Sequence, residues 1–313
     1  MSYRLPKRLD GPATIGLFAP SGSVDQEALA RAADYFAGLG HRVVVEAGSA
    51  ASWRYFAGTD QQRAASFAAL LNDPAIDIMM AARGGYGFTH LLQQLDYAAV
   101  AASGKIFVGF SDFTTFGLAA LAQAGSVSFA GPMATVDFGN GAVSPYMEGH
   151  FWPLLAGATH ETGPIACAHP YSPQTISGTL WGSNLSLLAH LVGTPYLPKV
   201  EGGVLFVEEI DEQPYAVERL FYQLYHAGVL AKQRCLILGD FAHCTPCNPA
   251  RYPYCMDEVV ERLRALLPYP VLTGLPFGHI KDKLTLPIGG QVEVAIAHNG
   301  YALRFSRYNT VPT

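Results

Sequence analysis

The amino-acid sequence predicts an α/β fold with two domains: an N-terminal, mostly parallel sheet flanked by helices, and a second, smaller, β-rich α/β domain. Three observations predict this. Short apolar strands alternate with helices over the first 140 residues, the strands are continuously apolar, and the chain is large enough for two cores. It has 313 residues, of which 50% are hydrophobic and 14% are charged. Alternation of this kind favours parallel strands with helices on both faces of the sheet.

The N-terminal elements follow one another in a regular order. Apolar runs predict strands, and apolar residues at helical spacing predict the helices between them. The predicted strands are 13–19, 42–46, 76–81 and 105–110, and the predicted helices are 26–39, 61–71, 89–95 and 112–122. Ligands bind beyond the carboxyl ends of strands in such sheets, so residues that follow strands are the first candidates for a site.

The composition of the sequence changes at about residue 140. Residues 141–170 are rich in Gly, Pro, Ser and His and contain a short apolar piece, which predicts a linker with some local helix. The C-terminal domain is then 171–313, and the N-terminal domain is 1–140. In the C-terminal domain the predicted strands are 204–207, 235–238, 271–272, 292–297 and 303–305, and the predicted helices are 185–191 and 216–225.

Charge, cysteine content and the absence of a targeting motif indicate where the protein works and which partners it lacks. A net charge of -5 provides no basic surface for nucleic acid. The five cysteines are an odd number in the second half of the chain, which does not suit a disulfide framework and indicates a reducing compartment. No targeting segment stands out, and residues 113–136, although uncharged, are broken by polar residues, Gly and Pro into a helix, a turn and a strand. We therefore expect a cytoplasmic protein with no nucleic-acid partner and no membrane span.

One cysteine pair raises the question of a metal. Cys244 and Cys247 form a Cys-x-x-Cys motif beside His243. A structural zinc site needs four ligands, and the sequence has no second motif of this kind. We therefore expect no metal and interpret both thiols as small buried or surface side chains.

Ser111 is the first candidate for chemistry. It ends an apolar run and opens a helix, a turn that exposes a serine hydroxyl and directs backbone N–H groups towards a developing oxyanion. The usual Gly-x-Ser-x-Gly motif is incomplete, because Gly109 is present but Phe113 occupies the last glycine position. Alternatively, Ser111 caps the helix that follows.

Gly84 and Gly85 follow the strand at 76–81. Paired glycines let the backbone approach a ligand and present N–H groups, which could assist the Asp112 amide in an oxyanion hole. The alternative is a simple turn between strand and helix. A dinucleotide-binding loop is excluded, since Gly-x-Gly-x-x-Gly is missing.

Glu208, Glu209 and His279 lie near the ends of other apolar runs. A carboxylate at the edge of a buried strand could orient a histidine base. The alternatives are a solvated strand end, an ion pair to Arg219 and a structural histidine. The residues alone do not decide between these interpretations.

Taken together, motifs along nearly the whole chain resemble the LD-carboxypeptidases, the muramoyltetrapeptide carboxypeptidase family of serine peptidases. The resemblance lies in the following segments: Ala19-Pro20-Ser21-Gly22, residues 56–60, Arg83-Gly84-Gly85-Tyr86-Gly87, Gly109-Phe110-Ser111-Asp112, residues 178–185, Gly193-Thr194-Pro195, Val207-Glu208-Glu209 and Phe277-Gly278-His279. The chain departs from the family in having Gly182-Ser183-Asn184 where Gly-Gly-Asn is frequent, and Glu208-Glu209 where Glu-Asp is frequent.

The resemblance implies a site and an activity. Ser111 would be the nucleophile, His279 the general base and Glu208 its orienting carboxylate, with an oxyanion hole formed by the amides of Asp112 and of Gly84 or Gly85. It further implies a cytoplasmic, homodimeric hydrolase without a cofactor, whose substrate is a murein peptide and which releases terminal D-alanine from murein tetrapeptides in cell-wall recycling.

Two other functions remain open at this stage. One is a peptidase of the same family that inactivates a peptide-nucleotide antibiotic. The other is a non-catalytic ligand-binding module that kept the cleft and lost the chemistry.

Overall fold

Two β-sheets surrounded by helices form the architecture of the protein in a computed structural model, which describes residues 3–310. The α/β class predicted from the sequence is confirmed. The strands are β1 Thr14–Phe18, β2 Arg42–Val45, β3 Ile78–Ala81, β4 Ile106–Gly109, β5 Ser128–Ala130, β6 Thr159–Ala166, β7 Gln174–Asn184, β8 Gly203–Ile210, β9 Gln233–Ala242, β10 Val271–Leu272, β11 Leu286–Ile288, β12 Gln291–Ala297 and β13 Gly300–Ser306. The helices are α1 Gln26–Gly38, α2 Asp60–Asn72, α3 Tyr97–Ser103, α4 Thr114–Ala124, α5 Pro145–Ala156, α6 Leu185–His190, α7 Pro214–His226 and α8 Met256–Leu266.

The first sheet has the strand order β11-β5-β4-β3-β1-β2. Strands β1 to β5 are parallel, and β11 is antiparallel to β5. Strands β3 and β4 lie in the middle and are buried along their whole length, which accounts for their continuous apolar sequences. The carboxyl ends of β1, β3 and β4 therefore lie at one edge of the sheet.

The segment at 89–95, predicted as an α-helix, is instead a 3-10 helix, Phe88–Gln94. It is short because a new helix begins almost at once. The Asp96 side chain accepts a hydrogen bond from the Ala99 amide at 2.9 Å and starts α3.

The second sheet has the strand order β10-β9-β8-β7-β12-β13-β6. Its β7 to β10 half is parallel, and its β7, β12, β13 and β6 half is antiparallel. Residues 141–170, predicted as a linker with some local helix, contain the three-turn helix α5 and the strand β6. Strand β6 is a mostly exposed, polar edge strand, so no apolar run marks it in the sequence.

The first sheet contains one strand from the C-terminal part of the sequence. Strand β11, from the C-terminal part of the sequence, completes the first sheet by pairing with β5, as Leu286 opposite Ala130 illustrates. Residues 113–136 form α4, a left-handed turn at Gly125 and β5. Among residues 3–310, no helix combines the length and apolar character needed to cross a bilayer.

Candidate active site

Ser111 lies in a strained turn between β4 and α4. Its φ of +59° is in the left-handed region, which is uncommon for residues other than glycine and is often found at functional sites. Its side chain makes no capping hydrogen bond, so the helix-cap interpretation is wrong. A Cβ on Gly109 would lie 2.7 Å from the Phe113 ring. Phe113 therefore packs back on Gly109, which explains an elbow without the last glycine of the usual motif.

Gly84 lies directly against this turn. A Cβ on Gly84 would be 2.9 Å from the Ser111 Oγ and 3.3 Å from the Asp112 amide nitrogen. The Gly84 carbonyl accepts a hydrogen bond from the Gly22 amide at 3.2 Å. Because N–H and C=O point in opposite directions across a trans peptide, the Gly85 N–H points away from Gly22. Because residue 84 is a glycine and has no Cβ, the backbone of its loop can lie directly against the Ser111 side chain.

Arg63, which the sequence analysis missed, holds the loops beside Ser111 together. Its guanidinium is buried and donates to the carbonyls of Pro20 at 2.6 Å and Gly87 at 2.9 Å, and it pairs with Asp60. These carbonyls belong to the loops that follow β1 and β3. On helix α2 the residue has no sequence signal that distinguishes it from an ordinary exposed arginine.

The Asp112 side chain has a structural contact of its own. It is fully buried and accepts the Phe88 amide at 2.8 Å, which fixes the start of the 3-10 helix at Phe88–Gln94. Burial raises the pKa of the Asp112 carboxyl, while the Ser21 hydroxyl, the Phe88 amide, Arg63 and His90 oppose that rise. The carboxylate and the backbone amide of Asp112 can therefore serve different purposes.

Glu208 and His279 form a hydrogen-bonded pair. The His279 Nδ1 lies 2.8 Å from the Glu208 Oε2, and the Glu208 side chain is fully buried. In the neutral imidazole, Nδ1–H donates to the carboxylate, so Nε2 is the basic nitrogen. The His279 ring centroid lies 4.9 Å from that of Phe110, the residue before Ser111. The structure thus brings the predicted base to the turn that carries the predicted nucleophile.

An irregularity in β9 makes room for the histidine loop. Between the pairs Val207–Leu238 and Glu209–Phe241, β9 contains one more residue than β8. At this bulge the Asp240 amide donates to the Phe277 carbonyl at 2.8 Å. Gly278 follows with a φ of +141°, and a Cβ there would lie 3.3 Å from the Glu208 Cβ. No pattern in the sequence predicts this bulge, since bulges leave no periodic signal.

Asn184 connects the two adjacent glutamates. Its Nδ2 donates to Oε1 of Glu208 at 3.1 Å and to Oε1 of Glu209 at 3.0 Å. Oε2 of Glu209 accepts the Ser186 amide at 2.7 Å. Both carboxylates are at least 97% buried, and within residues 3–310 neither pairs with Arg219, so the solvated-end and ion-pair interpretations are wrong. The sequence alone predicts no role for Asn184.

The cysteine motif lies in a loop after β9. Cys244 is buried, which raises its thiol pKa to about 11, whereas Cys247 is exposed. In the part of the chain that the structure describes, no three His, Cys, Asp or Glu side chains are grouped closely enough to share a metal ion.

Comparison with known proteins gives a consistent result. Residues 15–131 match the LD-carboxypeptidase N-terminal domain, and residues 177–294 match the LD-carboxypeptidase C-terminal domain. The crystal structure of a muramoyltetrapeptide carboxypeptidase from Oxalobacter formigenes superposes with a TM-score of 0.89 at 38% identity, covering 95% of this chain and 100% of that one.

Two relatives with different names are also similar over most of the chain. The probable murein peptide carboxypeptidase of Bacillus subtilis is 30% identical over 301 residues, covering 95% of this chain and 93% of its own. The microcin C7 self-immunity protein of Escherichia coli is 27% identical over 315 residues, covering 90% of each chain. The resemblance found in the sequence is thus confirmed, and the chain belongs to the LD-carboxypeptidase family.

Proposed function

We propose that this protein is a serine carboxypeptidase that releases the terminal D-alanine from murein tetrapeptides. The bond cleaved joins the L-centre of a diamino acid to D-alanine. The observation that carries this proposal is the hydrogen bond between the buried Glu208 and His279, whose ring lies against Phe110 at the turn that holds Ser111. The names of two relatives, which refer to murein peptides, support the substrate class.

The residues supply each step of an acyl-transfer mechanism. His279 Nε2 takes the proton from the Ser111 hydroxyl, and Oγ attacks the scissile carbonyl carbon. The amides of Asp112 and of Gly84 or Gly85 donate to the resulting oxyanion. The protonated histidine then gives its proton to the leaving amine, and D-alanine departs. Water, activated by the same histidine, hydrolyses the Ser111 ester and restores the enzyme.

Glu208 has an orienting role in this scheme. Its carboxylate fixes the His279 ring through Nδ1 and stabilises the imidazolium that forms when Nε2 takes the proton. Asn184 holds the second oxygen of Glu208 and is a positioning residue.

Three synthetic peptides test the function. The purified protein should release free D-alanine from a tetrapeptide that ends in an L-diamino acid followed by D-alanine. The epimer ending in L-alanine and the pentapeptide ending in D-alanyl-D-alanine should be nearly inert. The wrong configuration at either residue displaces the reacting carbonyl, and small displacements lower the rate about 10²-fold. Comparable alanine release from all three would contradict the proposed specificity.

The nucleophile is tested with Ser111→Ala. This variant should keep its circular dichroism spectrum and lose about 10⁴- to 10⁶-fold in kcat. Near-normal turnover in the folded variant would rule out the serine mechanism.

The antibiotic-inactivating alternative receives less support. The microcin self-immunity protein shares this fold, but its identity to the chain is lower than that of the Oxalobacter enzyme. Incubation with a peptide-nucleotide substrate beside the murein tetrapeptide would separate the two functions. The complete Ser111, Glu208 and His279 set argues against a non-catalytic binding module.

We also propose that the enzyme works as a cytoplasmic homodimer without metal or other cofactor in cell-wall recycling. Free thiols, including the exposed Cys247, suit a reducing compartment. Light scattering of the purified protein tests the dimer, and retention of full activity in EDTA tests the absence of a required metal.

A further inference from the structure

A pocket of about 620 Å³ lies beside the catalytic histidine. His279 and Phe110 form part of its wall, and the loop that follows the histidine contributes Lys281 and Lys283. Asp137, Asn140 and Ser144 also line it. The proposed base thus faces the same space as two lysines.

The two lysines of this pocket differ in their partners. Lys283 is buried, and its Nζ lies 2.6 Å from an Asp137 carboxylate oxygen and 4.3 Å from the centre of the Phe110 ring. The Asp137 carboxylate therefore compensates Lys283. Lys281 is exposed and has no salt-bridge partner among residues 3–310. The adjacent Asp282 accepts the Ser144 hydroxyl at 2.5 Å. Among residues 3–310, the Lys281 ammonium is thus the one on the pocket wall that no carboxylate holds in an ion pair.

In the proposed reaction, the leaving residue of the substrate occupies the pocket beside His279. His279 must deliver a proton to the leaving amine, so the leaving residue lies on the histidine side of the scissile bond. In a carboxypeptidase the leaving residue carries a free terminal carboxylate. A carboxylate that leaves water needs a charged or hydrogen-bonding partner, and an ammonium is a strong one.

We propose that the Lys281 ammonium binds the terminal carboxylate of the substrate and so selects chain ends over internal bonds. This assignment rests on the proposed carboxypeptidase function. Asn140 and Ser144 line the same pocket and are further polar groups there.

The test compares binding of two peptides that differ only at the end. The Ser111→Ala protein binds substrate without turnover, so affinity can be measured by titration calorimetry. One peptide is the tetrapeptide acid and the other is the same peptide with a C-terminal amide. Adding Lys281→Met should weaken binding of the acid about 10- to 100-fold, the range for loss of a hydrogen bond to a charged group, and leave binding of the amide unchanged. Lys281→Arg should restore part of the preference for the acid.

A matched control uses another exposed lysine. Lys199 precedes β8 at its amino end, whereas Glu208 lies towards the carboxyl end of that strand. Lys199→Met should leave both affinities unchanged.

Three results would overturn the assignment of Lys281. One is an equal loss of affinity for the acid and the amide on Lys281→Met, and another is no loss of affinity for either. The third is loss of the acid preference on Arg83→Met while Lys281→Met keeps it, since Arg83 is the cation next to Gly84 in the sequence. Failure of the enzyme with Ser111 intact to release D-alanine counts against the proposed function, and the binding data then still decide whether Lys281 recognises a carboxylate.

Discussion

At the residue scale, Glu208 and Glu209 are chemically identical neighbours with different contacts. Glu208 binds His279, whereas Glu209 accepts amides at the start of α6 and the side chain of Asn184. Residues that follow one another in a strand normally point to opposite faces. Here the carboxylates of Glu208 and Glu209 both accept a hydrogen bond from Asn184, next to the irregular register between β8 and β9.

We therefore expect the two glutamine substitutions to act on different properties. Glu208→Gln should reduce kcat strongly, because the glutamine NH2 would donate to Nδ1 and leave the proton on Nε2, a change that costs about 10⁴-fold in a Ser-His-Asp triad. Glu209→Gln should mainly lower stability, since its Oε2 accepts the Ser186 amide. Steady-state kinetics and thermal unfolding of both variants check this, and a reversed pattern would assign the orienting role to Glu209.

The proposed catalytic residues could be predicted from the sequence, whereas the residues that position them could not. Ser111, Glu208 and His279 stand at the ends of apolar runs, and such positions are visible in one dimension. Arg63, Asn184 and the β9 bulge act through contacts between residues distant in sequence, as the 2.9 Å bond from Arg63 to the Gly87 carbonyl illustrates. No periodicity encodes such contacts.

At the element scale, the end of β7 contains a conformational conflict. Ser183 has a φ of +123°, is fully buried, and its hydroxyl has no hydrogen-bond partner in the described part of the chain. Both features disfavour serine, and glycine at this position would avoid both.

We expect Ser183→Gly to stabilise the protein by about 1 kcal/mol. Relief of strain and of a buried unpaired hydroxyl should exceed the entropic cost of glycine in the unfolded chain. The midpoint of thermal unfolding should rise by ~2 °C. Ser177→Gly, at an exposed position of the same strand with an ordinary φ, should be destabilising. A lower midpoint for Ser183→Gly would show that its backbone is not strained.

Helix α5 and strand β6 are joined by two histidines. The His150 Nδ1 lies 2.8 Å from the His160 Nε2, and His160 stacks on Phe305. Burial, together with His150, lowers the pKa of His160 to about 4, and burial also lowers the pKa of His150. The pair is therefore neutral in the folded protein at pH values where an unfolded histidine is protonated.

This pair should make folding sensitive to mild acid. Between about pH 6.5, the ordinary value for histidine, and pH 4 the unfolded chain binds more protons, so stability falls as the pH falls through this window. His160→Phe keeps the stacking on Phe305 and should reduce the drop in melting temperature between pH 7 and pH 4.5. His226→Phe, at an exposed position, should leave the drop unchanged. An unaltered drop in His160→Phe would show that this pair does not titrate on unfolding.

At the scale of the whole molecule, the predicted class of the first sheet is confirmed, whereas one of its strands comes from a distant part of the chain. The strand-helix rhythm of the first 140 residues predicts a parallel sheet, and β1 to β5 form one. Strand β11 is three residues long and lies some 150 residues after its partner β5, so local patterns cannot predict the pairing. Through the pairing of β11 with β5, the first sheet is complete only when the C-terminal half of the chain is present.

This dependence predicts that residues 1–140 do not fold well alone. Without β11 the edge of β5 exposes unpaired backbone groups, and the space beside Gly117 that Ile288 fills becomes empty, since a Cβ on Gly117 would lie 2.9 Å from the Ile288 side chain. We expect the fragment to aggregate or to unfold without a cooperative transition. The whole chain should give coincident urea transitions by circular dichroism and tryptophan fluorescence. A fragment in which residues 284–290 are fused to 1–140 through a flexible linker should regain solubility. A sharp, reversible transition in residues 1–140 alone would instead show that the N-terminal sheet is an independent folding unit and that β11 contributes little to it.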